Sequence, residues 1–476
     1  MAATYTVVPG TLGRFMREEM SNIINEMWEN PEDPVLREVV LNTSAVRTAD
    51  QMGRPPAGTK TGTSQFQAMH IFEFGEAGLI QYAKMGNTLG SDDALPPMLA
   101  EVTYPDVTQA PQSLPEWALV DLKWIVGTLG IDVLQELALK SSTVVGPWLQ
   151  RTLAGPLRKV HRQMCRDFFG SGYGTLATVK ATTSAVAAGA TQAVTLNHGV
   201  RSFSRGQRVT LWANSGGVPG ATQHGGDWIV TAVHNGTTDP TITLYNASGG
   251  SATPTILDHI VLKGAWDGTT AFGMLGLDNF TNNSATLHGL SKTAFPELAS
   301  VNSSNNGTLR LPTPLLIEKV FDQIYDRGWQ PPDRACTTRG VRTLYYVQQA
   351  AFLALNADVS RPTQPVADSG NGGPMQITTE NGVIPIMLSA FCPKNTLYLY
   401  RLDKLVRYAP GGGDMIQFLA NSELLGGNGM FLPHVNGSGI PTTIREAPFN
   451  VWGELACMGS QCFGKVSDLK EAADVG

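Results

Sequence analysis

Three glycines in the stretch FGSGYG, Gly170, Gly172 and Gly174, form a pattern that can cradle a phosphate. A dinucleotide-binding loop leaves a strand and opens a helix, so that amides at the helix N-terminus face the pyrophosphate. Here the glycines follow a helical pattern and end it, which is the opposite order. We therefore interpret the stretch as a helix stop followed by a turn.

Side chains that bind metals are scattered along the chain. His224, Asp227 and His234 are close in sequence, but a strand pattern lies between them, which indicates ordinary surface polar groups. Cys457 and Cys462 are the closest pair among five cysteines, and no second pair completes a structural zinc site. An odd, scattered set of cysteines is typical of reduced, buried thiols in a cytosolic fold. The sequence predicts no metal site and no cofactor.

Catalytic signatures are equally sparse, since the chain has neither a Gly-x-Ser-x-Gly elbow nor a P-loop. The carboxylate pairs Asp92-Asp93 and Glu18-Glu19 fall in a polar loop and on a helix face, where solvation explains them. We predict no catalytic residues and favour a structural protein over an enzyme. An enzyme with an unrecognised site stays open as an alternative.

Nucleic-acid binding is a second function to weigh, because Arg201, Arg205 and Arg208 lie close together. Phe203 is the only aromatic residue among them, so the stripe of rings that stacks bases is missing. The Arg205-Gly206 pair is typical of a tight turn between strands. A formal net charge of −6 also argues against a protein whose main role is to neutralise phosphates.

Length and composition set the scale of the fold. The 476 residues correspond to roughly three average domains. An apolar content of 42% with 16% charged residues is compatible with a large buried core. The first residues lack the pattern of a signal peptide, and no window approaches 18 uninterrupted apolar residues, so we expect no membrane span.

The first 170 residues alternate helical patterns with polar segments. A helix is predicted around residues 16–27, followed by an extended arm to residue 60. Residues 71–111 predict two strands around a polar tip, Gly86 to Pro97, which is typical of a projecting hairpin. Residues 113–170 predict long helices from a 3–4 spacing of apolar residues, in one run over residues 122–137 and another over 148–168.

Residues 186–264 have a β pattern instead, with short alternating segments separated by glycine turns. Five strands are predicted around paired apolar positions, which we expect to form the core of a compact barrel or sandwich. The pairs are Val194 and Leu196, Val209 and Leu211, Ile229 and Val233, Ile242 and Leu244, and Ile260 and Leu262.

Residues 265–476 return to mixed helix and strand. Thr313 and Pro314 predict the start of a helix that ends at Gly328, and a second helix is predicted over residues 339–354. The stretches GVIPIMLSAF, TLYLYRLDKL and FNVWGELACM predict strands.

Three stretches carry a resemblance to a known family. FFGSGYGTLATV resembles the glycine-rich exit from a spine helix. The segments GVRSFSRGQRVTLWAN, GGDWIVTAVHNGTTDPTITL and LDHIVLKGAWDG are similar to an inserted β-domain. LIEKVFDQIYDRGWQPPDRACTTRGVRTLYYVQQ resembles an axial-domain helix, strand and second helix. Together, in this order, they resemble the major capsid proteins of tailed bacteriophages, whose Hong Kong 97-type fold is shared with encapsulins.

The resemblance implies an α+β fold of the Hong Kong 97 type with a small all-β insertion domain. Its parts map onto the sequence as an N-terminal arm at 1–60, an extended loop at 61–112, a peripheral domain with the spine helix at 113–175, an insertion domain at 176–265, an axial domain at 266–440 and a return to the peripheral domain at 441–476.

The function that the resemblance implies is self-assembly, as pentamers and hexamers, into an icosahedral shell around double-stranded DNA. The implied partners are further copies of the chain, scaffolding and portal proteins, a decoration or cement protein, and DNA held without sequence-specific binding. Some family members cross-link a lysine to a neighbour's asparagine, and Lys84 lies on the implied extended loop, but its partner asparagine and catalytic acid have no match here. An encapsulin-like compartment shell is the alternative.

Overall fold

One part of the chain is described by a computed structural model. It comprises residues 34–35, 38, 46–48, 67–74, 114–121, 123–132, 159–160, 162–197, 202–234, 240–247, 250–328, 330–355, 376–379, 382–409, 416–418, 432–435 and 441–472. The predicted helix at 16–27, the hairpin tip at Gly86 to Pro97 and the helical run at 148–158 lie outside these residues.

The elements are numbered in chain order. The strands are β1 (Val46–Thr48), β2 (Gln67–Phe74), β3 (Leu114–Asp121), β4 (Lys123–Asp132), β5 (Thr175–Thr178), β6 (Thr191–Thr195), β7 (Arg208–Ser215), β8 (Val218–Gln223), β9 (Trp228–His234), β10 (Thr241–Asn246), β11 (His259–Leu262), β12 (Thr286–Leu287), β13 (Leu290–Ser291), β14 (Val301–Ser303), β15 (Arg334–Thr337), β16 (Gln376–Thr379), β17 (Gly382–Leu388), β18 (Leu397–Tyr400), β19 (Leu405–Ala409), β20 (Ile416–Phe418), β21 (Leu432–Val435), β22 (Pro441–Cys457) and β23 (Gly464–Val466). The helices are α1 (162–169), α2 (Leu277–Thr281), α3 (Pro314–Gly328) and α4 (Arg339–Leu355), with single 3₁₀ turns at Pro296–Leu298, Leu402–Lys404 and Ser460–Cys462.

Strands β2 and β3 form an antiparallel ribbon that pairs with no other strand in the described part of the chain. The register runs from Gln67 opposite Asp121 to Phe74 opposite Leu114, so the ribbon is eight pairs long. At about 3.4 Å per residue it extends for roughly 27 Å. The ascending strand confirms one limb of the predicted hairpin, and its partner lies later in sequence than the predicted return limb.

The helix predicted over residues 122–137 is wrong for the residues described, because Lys123–Asp132 is strand β4. It pairs antiparallel with β22 over ten positions, from Lys123 opposite Gly453 to Asp132 opposite Ile444. Gly127 and Gly130 each weaken a helix by about 1 kcal/mol relative to alanine. The 3–4 spacing was therefore coincidental, and pairing with a strand more than 300 residues away decides the conformation.

The 17-residue strand β22 organises a sheet of six strands, in which β4, β19, β20 and β21 all pair with it and β1 extends β19 in parallel. This sheet contains the predicted strand FNVWGELACM. Buried Val120, at the base of the ribbon, packs against Val406, Tyr408 and Ala456 of the same sheet. Among the described side chains, this contact at Val120 joins the ribbon to the sheet.

Residues 175–262 form a closed barrel, one of the two architectures predicted for the β-rich region. The strand order is β5-β11-β7-β9-β10-β6, and β8 is attached to β7. The barrel closes because Val179, just after β5, forms a bridge with Leu196, just after β6, and the Lys180 amide donates to the Thr195 carbonyl at 2.8 Å. Closure removes the free edges of a sheet.

On four of the five predicted strands, the predicted apolar positions face the barrel core. On the fifth, β9, other positions do. On β9 the fully buried residues are Trp228 and Val230, whereas Ile229 is half-buried and Val233 only packs against the core. The register of β9 with β10 jumps between Thr243 and Leu244. This bulge changes which face the side chains occupy, so strict alternation counted back from Val233 gives the wrong face for Ile229.

A second six-stranded sheet, in the order β14-β23-β18-β15-β17-β16, carries α3 and α4. The predicted helices are confirmed, as are the strands GVIPIMLSAF and TLYLYRLDKL. Central strand β18 is buried on both faces. Leu397 and Leu399 join the core under α3 and α4, whereas Tyr398 and Tyr400 join the core that contains α1 and α2.

Candidate assembly surfaces and the barrel neck

The three glycines end helix α1, as predicted. The Gly170 amide donates to the Asp167 carbonyl at 2.9 Å, and Gly172 and Gly174 have φ of 90° and 63°. A Cβ on Gly174 would lie 2.3 Å from the Ala265 Cβ. Their role is to turn the chain and to allow close packing.

The candidate metal ligands have separate partners. Nε2 of His224 lies 3.9 Å from Oδ2 of Asp258, Asp227 pairs with Lys263, and His234 is exposed at the end of β9. Among the described residues, no group of three or more His, Cys, Asp or Glu side chains is placed to hold a metal ion.

The other residues considered from the sequence have packing or turn roles wherever they fall within the described part of the chain. All five cysteines are buried, as predicted. Arg205 and Gly206 form the predicted turn, in which the Gln207 amide donates to the Ser204 carbonyl at 3.1 Å, and Phe203 is buried in the barrel core. Glu18, Glu19, Lys84, Asp92, Asp93 and Arg201 lie outside the described residues.

One exposed apolar surface lies at the start of α3; we call it the helix-entry surface, made of Leu309, Leu311 and Leu315. The Leu315 side chain is 81% exposed. The loop before it is held rigidly, since Arg310 Nη2 donates to the Ser303 carbonyl at 2.7 Å and Asp468 Oδ2 accepts from the Asn305 amide at 2.7 Å. Rigid presentation of apolar side chains is typical of an interaction surface.

A second apolar surface, the barrel tip, consists of Ile256 and Leu257, which are 57% and 48% exposed. Buried Asp258 clamps the turn by accepting from the Thr255 amide at 2.7 Å and from its hydroxyl at 2.6 Å. Leu257 has a φ of 69°, a left-handed conformation that is unfavourable for leucine. The fold thus holds two bulky apolar side chains in water at an energetic cost.

The barrel joins the rest of the chain through a neck, defined here as residues 171–174 and 271–276. Ser171 forms an antiparallel bridge with Leu275, and the Gly273 amide donates to the Gly172 carbonyl at 2.9 Å. The two ends of the module therefore lie side by side, as expected for a domain inserted into a continuous host. Gly276 lies directly on α1, because a Cβ there would be 2.2 Å from the Asp167 carbonyl oxygen.

Charged side chains from three elements surround the neck. Glu454 of β22 accepts through Oε1 from the amides of Leu275 at 2.8 Å and Leu455 at 3.0 Å. Lys123 Nζ of β4 donates to the Ala271 carbonyl at 3.1 Å. Arg166 Nη2 of α1 donates at 2.8 Å to the carbonyl of Ser202, which belongs to the barrel. These contacts join the barrel and its neck to the sheet of β4 and β22 on one side and to helix α1 on the other.

The two carboxyl groups beside the neck are buried and strongly perturbed. Burial, with a smaller contribution from the nearby Asp167, raises the pKa of Glu454 to about 8, although the hydrogen bonds from two backbone amides and the charge of Lys123 act to lower it. Burial also raises the pKa of Asp167 to about 7, against the opposing influences of Arg166 and of a 2.7 Å hydrogen bond from Gln163. Oε2 of Glu454 is buried without a hydrogen-bond partner among the described residues. Loss of hydration therefore outweighs the hydrogen bonds that favour the charged forms.

None of the charged residues beside the neck was predicted as a site from the sequence. The available signal was a charged residue inside an apolar stretch, Arg166-Asp167 before Phe168-Phe169 and Glu454 within VWGELAC. Such residues are almost never fully buried unless they are paired, so each marks either a surface position or a buried polar contact.

Comparisons with known proteins find similar solved structures of very different sequence. No family model matches the sequence, and no curated protein sequence matches it significantly. Similar solved structures include a cyanophage A-1(L) capsid asymmetric unit, at 12% identity over 85% of this chain and 88% of that chain with a TM-score of 0.42. A structure from Microbacterium phage Oxtober96 has 10% identity over 90% of both chains and a TM-score of 0.37.

An encapsulin is also among the similar structures. The SrpI encapsulin complex from Synechococcus elongatus has 8% identity over 75% of this chain and 78% of that chain, with a TM-score of 0.34. All three of these TM-scores lie below 0.5. Within the described residues, no helix has the length and apolarity needed to cross a membrane.

Proposed function

We propose that this chain is the major capsid protein of a tailed phage, which assembles as pentamers and hexamers into the icosahedral shell around double-stranded DNA. It acts as a structural protein and not as an enzyme. The observation that carries the proposal is the β2–β3 ribbon, which pairs with no other strand in the described part of the chain, because an isolated two-stranded hairpin is at best marginally stable in water. Such a ribbon gains its stability from a surface supplied by a neighbouring copy.

The exposed apolar surfaces support the same proposal. The helix-entry surface and the barrel tip lie on different elements, so a contact between copies that uses them joins unlike patches. Contacts of this heterologous kind generate rings when the rotation closes. A chain that carries several of them is suited to a shell with many neighbours for each subunit.

The parts of the chain then take the following roles. Residues 1–60 are the arm, 61–112 the extended loop, 113–175 the peripheral domain with the spine helix, 176–265 the insertion domain, 266–440 the axial domain and 441–476 the return to the peripheral domain. The position of the barrel between α1 and α2 supports the insertion, and the sheet with α3 and α4 supports the axial domain.

The same proposal covers partners and location. The chain assembles in the host cytoplasm and ends in the virion. Scaffolding and portal proteins guide assembly, a decoration or cement protein binds the outer surface, and packaged DNA is held without sequence-specific contacts. The proposal includes no catalytic, cofactor or metal site and no cross-link through Lys84. A nanocompartment that encloses protein cargo is the competing function.

Assembly can be tested by joining Phe74 directly to Leu114 through an Asn-Gly turn, which replaces residues 75–113. These two residues are the last pair of the ribbon, and Asn-Gly is a preferred two-residue hairpin turn. We expect the full chain, with its scaffold, to give particles of very large mass by light scattering and closed shells by negative-stain microscopy. The variant should fold but stop at small oligomers.

A second variant, Leu315→Ser, tests the helix-entry surface, because it changes one exposed side chain there and leaves the ribbon intact. It should reduce shell yield less than the shortened ribbon does. A full chain that stays monomeric with its scaffold present refutes the shell function. Particles that form normally with the shortened ribbon refute the role of the ribbon. Particles that carry protein cargo and exclude DNA during packaging favour the nanocompartment.

A further inference from the structure

We propose that the neck is a pH-sensitive latch, in which neutral Glu454 and Asp167 hold the barrel against α1 and β22, and their ionisation loosens it. The proposal concerns the conformation of the single chain and does not rest on the shell function. It assigns to the barrel an orientation that responds to protons, with Glu454 as the main titrating group.

Glu454 is the side chain that connects the neck to β22. Its Oε1 accepts a hydrogen bond of 2.8 Å from the Leu275 amide. This bond links β22 directly to the exit segment, residues 271–276, through which the chain leaves the barrel. The next residue, Gly276, touches the carbonyls of Asp167 and Phe168, at positions where a Cβ would lie 2.2 and 2.4 Å away. The exit segment therefore lies between Glu454, which accepts its hydrogen bond, and the end of α1, on which Gly276 packs.

The charges around the latch do not compensate for ionisation. In the described part of the chain, Lys123 and Asp167 act on Glu454, while Arg166 and Gln163 act on Asp167, and Cys165 acts on Arg166. Lys123 donates to the Ala271 carbonyl and Arg166 to the Ser202 carbonyl, so both cations also have backbone partners. An ionised Glu454 would keep one buried oxygen without a donor and would face a second carboxylate. It regains hydration only if the exit segment moves away.

The direction of the pH effect follows from the pKa values. A carboxyl group whose folded pKa is raised stabilises the closed neck fully below its ordinary pKa, and this contribution is lost as the pH rises through the folded value. For Glu454 the window runs from 4.5 to about 8, and for Asp167 from 3.8 to about 7. The latch is therefore tightest in acid and loosest above about pH 8.

Hydrogen exchange on the full chain tests the latch at the Leu275 and Leu455 amides, with protection factors corrected for intrinsic exchange. For the Glu454 contribution alone, opening should increase by up to about tenfold for each pH unit between 5.5 and 8 and then level off. The Ile260 amide, deep in the barrel sheet, serves as the internal reference and should change much less. Glu454→Gln retains an acceptor that never ionises, so it should lower the slope at Leu275 and leave only the contribution of Asp167.

The matched control is Glu297→Gln, which neutralises an exposed glutamate on a 3₁₀ turn and should leave the wild-type profile unchanged. A flat profile at Leu275 in the wild-type chain overturns the proposal, as does a profile that falls equally at Ile260, because that would be global unfolding. An unchanged slope in Glu454→Gln also overturns it. Should that variant fail to fold, the wild-type comparison of Leu275 with Ile260 decides the question alone.

Discussion

Closure of the barrel makes a strong prediction about which fragment can fold alone. Residues 171–275 contain every strand of the barrel and both sides of its neck, so this fragment should be an autonomous domain. A shorter fragment, residues 186–264, keeps the five predicted strands but lacks β5. Without β5 the barrel opens, and β6 and β11 become unpaired edges.

The magnitude of the difference follows from the buried side chains that are lost. Leu176, Ala177 and Val179 are all buried in the barrel core. Burial of a leucine or valine contributes about 1.5–3 kcal/mol each and the alanine methyl somewhat less, so their removal costs roughly 4–7 kcal/mol. A domain of 105 residues (171–275) has a total stability of about 5–16 kcal/mol. The shorter fragment therefore loses between about a quarter and all of its stability from these side chains alone, and the loss of the strand pairing on β6 and β11 adds to it.

The assay is a comparison of the two fragments by amide NMR and by urea unfolding. We expect dispersed signals and one cooperative transition for residues 171–275, and collapsed signals with no transition for residues 186–264. Restoring only residues 175–185, which include β5, at the start of the shorter fragment should recover most of the cooperativity. Equal stability of the two fragments, or an unfolded longer one, would refute closure as the source of stability.

Two further predictions concern close packing in the host domains. Gly276→Ala should destabilise the chain by at least about 1–3 kcal/mol, because the new Cβ would meet two backbone carbonyls. The control Gly250→Ala places its Cβ in open space and should change stability by less than about 0.5 kcal/mol. Differential scanning calorimetry measures both changes. Ile324→Ala should destabilise the chain by about 2–5 kcal/mol, because this side chain of α3 is fully buried in the core. Leu315→Ala, on the exposed side of the same helix, should leave the melting temperature almost unchanged. Equal effects of the two variants would contradict the assigned face of α3.

Local signals explain which elements could be predicted from the sequence. Helix α3 begins at a Thr-Pro pair, has its apolar residues on one face and ends at Gly328, so every cue lies within the helix itself. The predicted core positions of the barrel strands follow from short alternating segments between glycine turns. On β9 these positions are wrong, because a bulge depends on the partner strand. Strand β4 was mispredicted because its conformation is set by β22, and nothing within ten residues records that pairing.

The candidate sites show the same limit more sharply. The exclusion of a phosphate loop at Gly170 to Gly174 needed only the order of helix and glycines, which is local. The role of Glu454 depends on the Leu275 amide, which is 179 residues away in sequence. A buried carboxyl group acquires its altered pKa from whatever surrounds it, and those surroundings are known only once the chain is folded.

The adjacent ends of the neck make the barrel replaceable. Because the chain enters at Ser171 and leaves at Leu275 as bridged neighbours, the rest of the protein needs from this segment only two ends held a few ångströms apart. A short turn across the neck, or an unrelated domain whose termini lie close together, meets that requirement. The position is therefore a natural place for exchange of modules during evolution, and a practical one for displaying foreign domains on every copy of the chain.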